Sequence, residues 1–264
     1  MQLPDDLDRL AREHLEVLKA EAATVVERLG AGADAVVRKV YRNRGSRWFQ
    51  TFVRRSRAER EYHNLRAVEA TGVRCTTAIA WSARRRFGFV DESTLVTRFL
   101  PDARTLKQVL ADLSPSEAWR TRAALAAAMG RLVARMHRGG FLWATPMPRN
   151  VLVLGDPAAA ELAVCDTPAG IRAPRSVHGG RLATIDVFAA AFSPSRRRDF
   201  SAAERMRWLL GYTNGDRAAA KRLWHTLARR PVVVHDALRA LAATWYTYLG
   251  SPLRRPHRPR AEHP

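Results

Sequence analysis

Lysine is nearly missing from this chain: its 264 residues include only Lys19, Lys39, Lys107 and Lys221, although Lys and Arg together number 45. Acidic residues are also few, 25 in all, so the formal charge is +20 and is carried by arginine. That balance attracts nucleic acid, an acidic membrane surface or a phosphorylated sugar or lipid headgroup, without selecting among them. In a chain this rich in Arg and Ala, the skew can equally be a habit of the coding sequence. The two cysteines, Cys75 and Cys165, sit in apolar surroundings with no CxxC spacing and no His cluster. That argues against a zinc site and leaves no disulfide framework, which fits a reducing compartment. No apolar run reaches the length of a bilayer span, and the N-terminal stretch MQLPDDLDRLAREHLEVLKAE lacks the apolar centre of a signal peptide. Its alternation of acidic, basic and apolar residues predicts an amphipathic helix. A cytoplasmic location is expected, peripheral to the inner membrane if the charge meets a membrane surface.

With 47% hydrophobic residues the chain can bury a sizeable core. ATVVERLGAGADAVVRKVYR reads as a β-hairpin turning on Gly-Ala-Gly-Ala-Asp, its second strand ending in Lys39-Val40-Tyr41. A basic, aromatic-bearing segment follows from Arg42 to Arg57. SRAEREYHNLRAVEATGV then places Tyr62, Leu65 and Val68 at helical spacing, with Gly72 as the stop. TTAIAWSARR and STLVTRFL supply two more strands before Pro101-Asp102 breaks the chain. From Ser114 the pattern turns helical up to Gly139-Gly140, followed by a short hairpin across GDPAAA into ELAVCD. Leu182 to Leu249 reads as helical, with Trp208, Leu209, Tyr212, Trp224, Trp245 and Tyr248 as core rings and apolar anchors. The Pro/Arg-rich tail, 251–264, is expected to be disordered. The sum is an α+β, two-lobed architecture: a β-rich lobe over 1–100 and a larger helical lobe over 101–250, with a cleft between them as the natural ligand site.

Four polar residues stand where apolar patterning does not ask for them. Lys39 closes a strand as one of four lysines, where a compact ammonium rather than a guanidinium fork is needed. Glu61 lies on the helix of the small lobe and could pair with it, with Glu59 an equal candidate by composition. Asn150 precedes the buried run Val151-Leu152-Val153, and Asp166 closes the next strand. Two oxygen ligands at strand ends suit a Mg²⁺ shared with phosphate oxygens. A lysine for the phosphates beside such a metal implies a nucleoside triphosphate. Taken singly, each residue also has a plain reading: a solvated strand-end lysine, a helix-surface glutamate, a turn-capping Asn, an Asx-turn Asp.

The blocks VVRKVYRNRGSRWFQTFVRRSRAEREYHNLRAVEATGV, STLVTRFLPDARTLKQVL, LVARMHRGGFLWATPMPRNVLV, LAVCD and DFSAAERMRWLLGYTN agree in order with the lipopolysaccharide kinase family. The chain resembles these Kdo and core-heptose kinases over roughly residues 20–215. The resemblance implies a protein-kinase-like fold, ATP and Mg²⁺ as cofactors, and transfer of phosphate to an anionic sugar or lipid-sugar acceptor. By it, Lys39 holds the nucleotide phosphates, Glu61 is its helix partner and Asn150 and Asp166 are the metal ligands. Arg98, Phe99 and Leu100 form the adenine-side hinge, and Asp186 braces the catalytic loop.

One position departs from the family pattern. The triplet that ends in a catalytic aspartate reads Trp143-Ala144-Thr145 here, with Asn150 still five residues on. A threonine cannot accept the acceptor's proton at neutral pH, and loss of a general base costs roughly a hundred- to ten-thousand-fold in rate. Arg149, beside Asn150, resembles the Arg-Asn pair of kinase catalytic loops and could reach a phosphate, or could be a solvated loop arginine. No G-x-G-x-x-G marks a phosphate lid. A second reading is therefore a pseudokinase that engages a protein partner. A third is a basic surface protein carried by Arg42 to Arg60, with Trp48, Phe49 and Phe52, and by the tail from Arg254 to Arg260. This third reading, a nucleic-acid- or membrane-surface-binding protein, is the weakest, because no recognition helix or stacking sheet accompanies the charge, and nucleic acid is not an expected partner; in the kinase reading the same basic insert would attract phosphorylated lipid headgroups.

Overall fold

The computed structural model describes residues 7–52, 54–114, 118–144, 146–167, 169–192 and 199–229. Thr145, Trp245, Tyr248 and the tail fall outside these residues. The N-terminal sheet contains β1 (Leu15–Glu21), β2 (Thr24–Leu29), β3 (Val36–Arg42), β4 (Ala78–Arg86) and β5 (Phe89–Arg98), in the order β1-β2-β3-β5-β4. All its pairings are antiparallel. The expected hairpin is β2–β3, in register from Thr24 opposite Tyr41 to Leu29 opposite Val36.

The N-terminal helix ends earlier than its pattern suggested. Among the described residues helix α1 covers Leu7–Glu13, and Leu15 to Glu21 is an edge strand whose residues are all exposed. Pairing with β2 satisfies its backbone on one side, and that tertiary gain overrides a weak helical preference. The period-2 rule then sorts the sheet's faces. Val96 packs with Leu7, Leu10, Leu29 and Val36 under α1, while Leu95 packs with Tyr41, Ala58, Leu65 and Ala78 under α3 (Arg57–Glu69), the helix on the opposite face.

Beyond the turn at Pro101-Asp102 comes β6 (Arg104–Thr105), then α4 (Leu106–Asp112), a helix the periodicity did not reveal. Its start was legible: Thr105 and Gln108 form a reciprocal capping box. The long helix α5 (Trp119–Arg138) and α7 (Ala202–Tyr212) form the centre of the helical region. They meet at glycines: a Cβ on Gly130 would lie 2.0 Å from the Trp208 carbonyl oxygen, and one on Gly211 would lie 2.1 Å from that of Ala127. Trp208, Leu209 and Tyr212 are buried there, as their spacing predicted. The strand pair β7 (Phe141–Leu142) and β10 (Ile171–Arg172), the sheet β6, β8 (Val151–Val153) and β9 (Leu162–Val164), α6 (Arg181–Val187) continued by a buried π-helical turn (Phe188–Phe192), and α8 (Arg217–Arg229) are joined to these by loops and short 3-10 turns.

Candidate active site

Lys39 and Tyr41 are two apart on β3 and therefore share the face that looks at α3. On α3 the buried positions are Ala58, Glu61, Leu65 and Val68, an apolar stripe with one carboxylate in it. That stripe separates Glu61 from Glu59: Glu59 lies in the first turn, its amide capped by Ser56 and its side chain paired with Arg55. Lys39 Nζ donates to Glu61 Oε1 at 2.7 Å, and Tyr41 Oη donates to Glu61 Oε2 at 2.6 Å. Lys39 also donates to the Cys165 carbonyl at 2.7 Å, which ties β3 to the segment after β9. Burial alone would lower the Lys39 pKa, but Glu61, with Asp166 and Cys165 behind it, outweighs that and holds the ammonium well above its ordinary range. Burial, followed by Glu61 and Asp166, keeps Tyr41 protonated as a donor.

Asp166 follows at the end of the β8–β9 hairpin. Cys165 donates its amide to the Asn150 carbonyl at 3.0 Å, so the loops carrying Asn150 and Asp166 are bonded side by side. Asn150 is buried at the end of a 3-10 turn, Pro148–Asn150, and Arg149 in the same turn is exposed. Burial first, then the charge of Glu61, push the Asp166 carboxyl up to about 6, with Lys39 and Arg57 opposing. Its Oδ1 is buried with no hydrogen-bond partner. An unpartnered buried carboxylate oxygen, on a loop bonded to the one that carries Asn150, is a donor suited to a hard cation.

The loop before Asn150 is held from beneath. Asp186 on α6 accepts the amides of Trp143 at 2.6 Å and Ala144 at 2.9 Å, and stands 3.2 Å from His137 Nε2. His137 Nδ1 lies 2.9 Å from the Tyr212 hydroxyl, so the brace extends to α7. Ala144 is held at a φ of 62°, a left-handed conformation that a non-glycine residue adopts when its surroundings enforce it. The Trp143 indole donates to the Asp166 carbonyl at 2.9 Å, directly joining this loop to the one bearing Asp166. Tyr41 and Trp143 were not singled out by sequence reasoning as site residues. Tyr41 could have been found by its same-face position to Lys39.

Of the three proposed hinge residues, Arg98 ends β5 and Phe99 and Leu100 follow it. The Arg98 amide donates to the Thr77 carbonyl and the Phe99 amide to that of Ala35, the residues just before β4 and β3. The Arg28 guanidinium sits 4.3 Å over the Phe99 ring. An adenine edge at this segment would therefore meet its carbonyls or Leu100 rather than those two amides.

A β-sheet region carrying a lysine–glutamate pair, followed by a helical region with a braced loop, defines a kinase-like protein. The sequence profile of the lipopolysaccharide kinase (Kdo/WaaP) family matches residues 19–170. The chain belongs to that family. Among solved structures, WaaP in complex with acyl carrier protein is similar at 19% identity and a TM-score of 0.55, covering 90% of this chain and 92% of that one. WbdD aligns at 15% identity and a TM-score of 0.47, covering 88% of this chain and 50% of its own. No curated protein sequence matches the chain.

Proposed function

We propose that the chain binds ATP with Mg²⁺ between a lobe ending near Leu100 and the helical lobe after it, and presents the terminal phosphate to a sugar or lipid-sugar hydroxyl. The observation that carries this reading is the Lys39–Glu61 pair set beside an Asp166 whose buried Oδ1 has no partner. Lys39, oriented by Glu61 and Tyr41, places a positive charge where nucleotide phosphates would lie. Asp166 and Asn150 would hold the metal, which supplies neutralisation of phosphate charge when bound. Arg149, exposed on the same turn, would meet the transferred phosphate or an anionic acceptor.

Thr145 supports the second reading, a regulatory protein with the nucleotide fold and impaired turnover. General-base catalysis is worth about 3 to 5.5 kcal/mol of barrier. Much of phosphoryl transfer rests on positioning and electrostatics, so the remaining residues retain most of what that chemistry needs. Under this reading a protein partner is required, and acyl carrier protein, which the WaaP structure contains, is the first to test. Transfer of labelled γ-phosphate to a heptose or lipid A acceptor separates the two readings. Wild-type transfer that is lost in Lys39→Met supports the enzyme. A silent wild type that gains transfer as Thr145→Asp supports the regulator. Silence of both, with no nucleotide bound, overturns the site itself.

A further inference from the structure

The basic segment after β3 folds onto the tip of the β4–β5 hairpin through a set of polar ties. The short helix α2 (Ser46–Phe49) presents the Trp48 indole to Asp91 at 2.6 Å, Thr51 accepts the Val90 amide at 2.8 Å, and Asn43 bonds Val90 and Asp91. Arg85 reaches the carbonyls of Arg54 and Gly88. Above these ties lies an aromatic cluster. Trp48 stacks on Phe89 at 4.1 Å between centroids, with Phe49 at 5.9 Å and Phe52 at 4.8 Å from the same ring. Phe49, Phe52 and Phe87 are nevertheless 66%, 54% and 78% exposed. A loop this well fastened could have turned such rings inward, so their joint exposure calls for an apolar environment outside the protein.

Phe87 sharpens this argument. Phe87 and Gly88 form the two-residue turn of the hairpin, with φ values of 52° and 83°. Such a turn favours Asn at its first position, and a bulky ring there is strained. A strained and largely exposed phenylalanine at a hairpin tip points to a use for the ring itself. The rim is cationic: Arg44, Arg84, Arg85 and Arg86 are exposed, and Arg86 sits 5.4 Å from the Phe87 ring. Of the neighbouring acids, Glu92 is paired with Arg42 and Asp91 accepts the Trp48 indole N–H, so the unpaired charge at the rim is mainly that of the arginines. Among the described residues no helix is long and apolar enough to cross a membrane, so any membrane contact of theirs is of the surface kind.

We propose that this face seats the protein on an anionic phospholipid bilayer, with Phe49, Phe52 and Phe87 entering the headgroup region and Arg84 and Arg86 meeting lipid phosphates. The face lies six residues along β5 from Leu95, the residue opposite Lys39, or about 20 Å away. It is therefore separate from the nucleotide site, and its test does not depend on nucleotide binding.

The test is flotation of the full chain with phosphatidylcholine vesicles containing about a third phosphatidylglycerol, a proportion chosen to give an anionic surface. Wild type should float with these vesicles and not with phosphatidylcholine alone. Phe87→Asn, which suits the turn, should leave the melting temperature unchanged or raised while weakening vesicle binding about fivefold. Phe49→Ser with Phe52→Ser should weaken it further, and Arg84→Glu with Arg86→Glu should abolish the preference for anionic lipid. Equal flotation of Phe87→Asn and wild type, or binding indifferent to phosphatidylglycerol, would overturn the proposal. So would phenylalanine variants that keep vesicle binding but lose binding to a single-stranded RNA probe, which would assign the face to nucleic acid.

Discussion

Replacing Asp166 with Asn should make the ligand-free protein more stable and the liganded protein less so. The carboxyl is pushed from an ordinary 3.8 to about 6, so keeping it ionised at neutral pH costs the empty fold about 3 kcal/mol at 1.36 kcal/mol per pH unit. Asparagine removes that charge, and its amide can donate to the neighbouring Glu61 carboxylate. The attraction to Lys39 is already contained in that net shift; the cost of burying the polar amide in place of the carboxylate offsets part of the gain, leaving roughly 1 to 2 kcal/mol, or about 3 to 6 °C in melting temperature. In saturating MgATP the order should reverse. A ligand at a hundred times its dissociation constant stabilises the wild type by about 2.7 kcal/mol, and the variant would forgo the metal-dependent share. Thermal melts of both proteins with and without MgATP, followed by circular dichroism, read this directly. A variant that melts below wild type without ligand, or that gains as much as wild type from MgATP, would refute the reasoning.

The same shift sets a pH dependence. Between 3.8 and about 6 the folded chain holds a proton at Asp166 that the unfolded chain has released, so this contribution is present below 3.8 and lost as the pH rises through 6. The melting-temperature gap between wild type and Asp166→Asn should therefore be wide at pH 7.5 and close as the pH falls below 4. Glu61→Gln should destabilise the chain by about 3 kcal/mol in urea denaturation, because it leaves the Lys39 ammonium buried without its fully buried counter-charge. Trp143→Phe removes the donor to the Asp166 carbonyl and leaves a void where the fully buried indole was packed, and should cost about 2 to 3 kcal/mol in the same measurement. Gly130→Ala drives a methyl against the Trp208 carbonyl and should cost about 3 kcal/mol or more by forcing α5 and α7 apart, visible as a lowered denaturation midpoint.

Much of this site could be read from residue order, because its parts lie on regular elements. Strand alternation puts Lys39 and Tyr41 on one face, and the Ala58-Glu61-Leu65-Val68 stripe marks which glutamate turns inward. Composition alone left Glu59 level with Glu61, and only the helical phase separates them. The Trp143 indole reaching Asp166 was not legible, since it depends on how two loops far apart in sequence are laid side by side. The brace is a mixed case: Asp186 was expected under the loop, but its extension through His137 to Tyr212 needs the close α5–α7 approach. The N-terminal strand was misread because an exposed edge strand carries no burial pattern, so its charges mimic a helix surface. The two-residue turn at Phe87-Gly88 was hidden for the opposite reason, since phenylalanine is a poor turn residue by local preference.

The central claim is a metal-dependent nucleotide site built on Lys39, Glu61, Asn150 and Asp166. Calorimetric titration of the full chain with ATP, in Mg²⁺ and again in chelator, tests it most directly. Binding is expected in Mg²⁺, much weaker in chelator, and lost in Asp166→Ala and Lys39→Met. No heat at millimolar ATP, or binding indifferent to Mg²⁺ and to both substitutions, would contradict it.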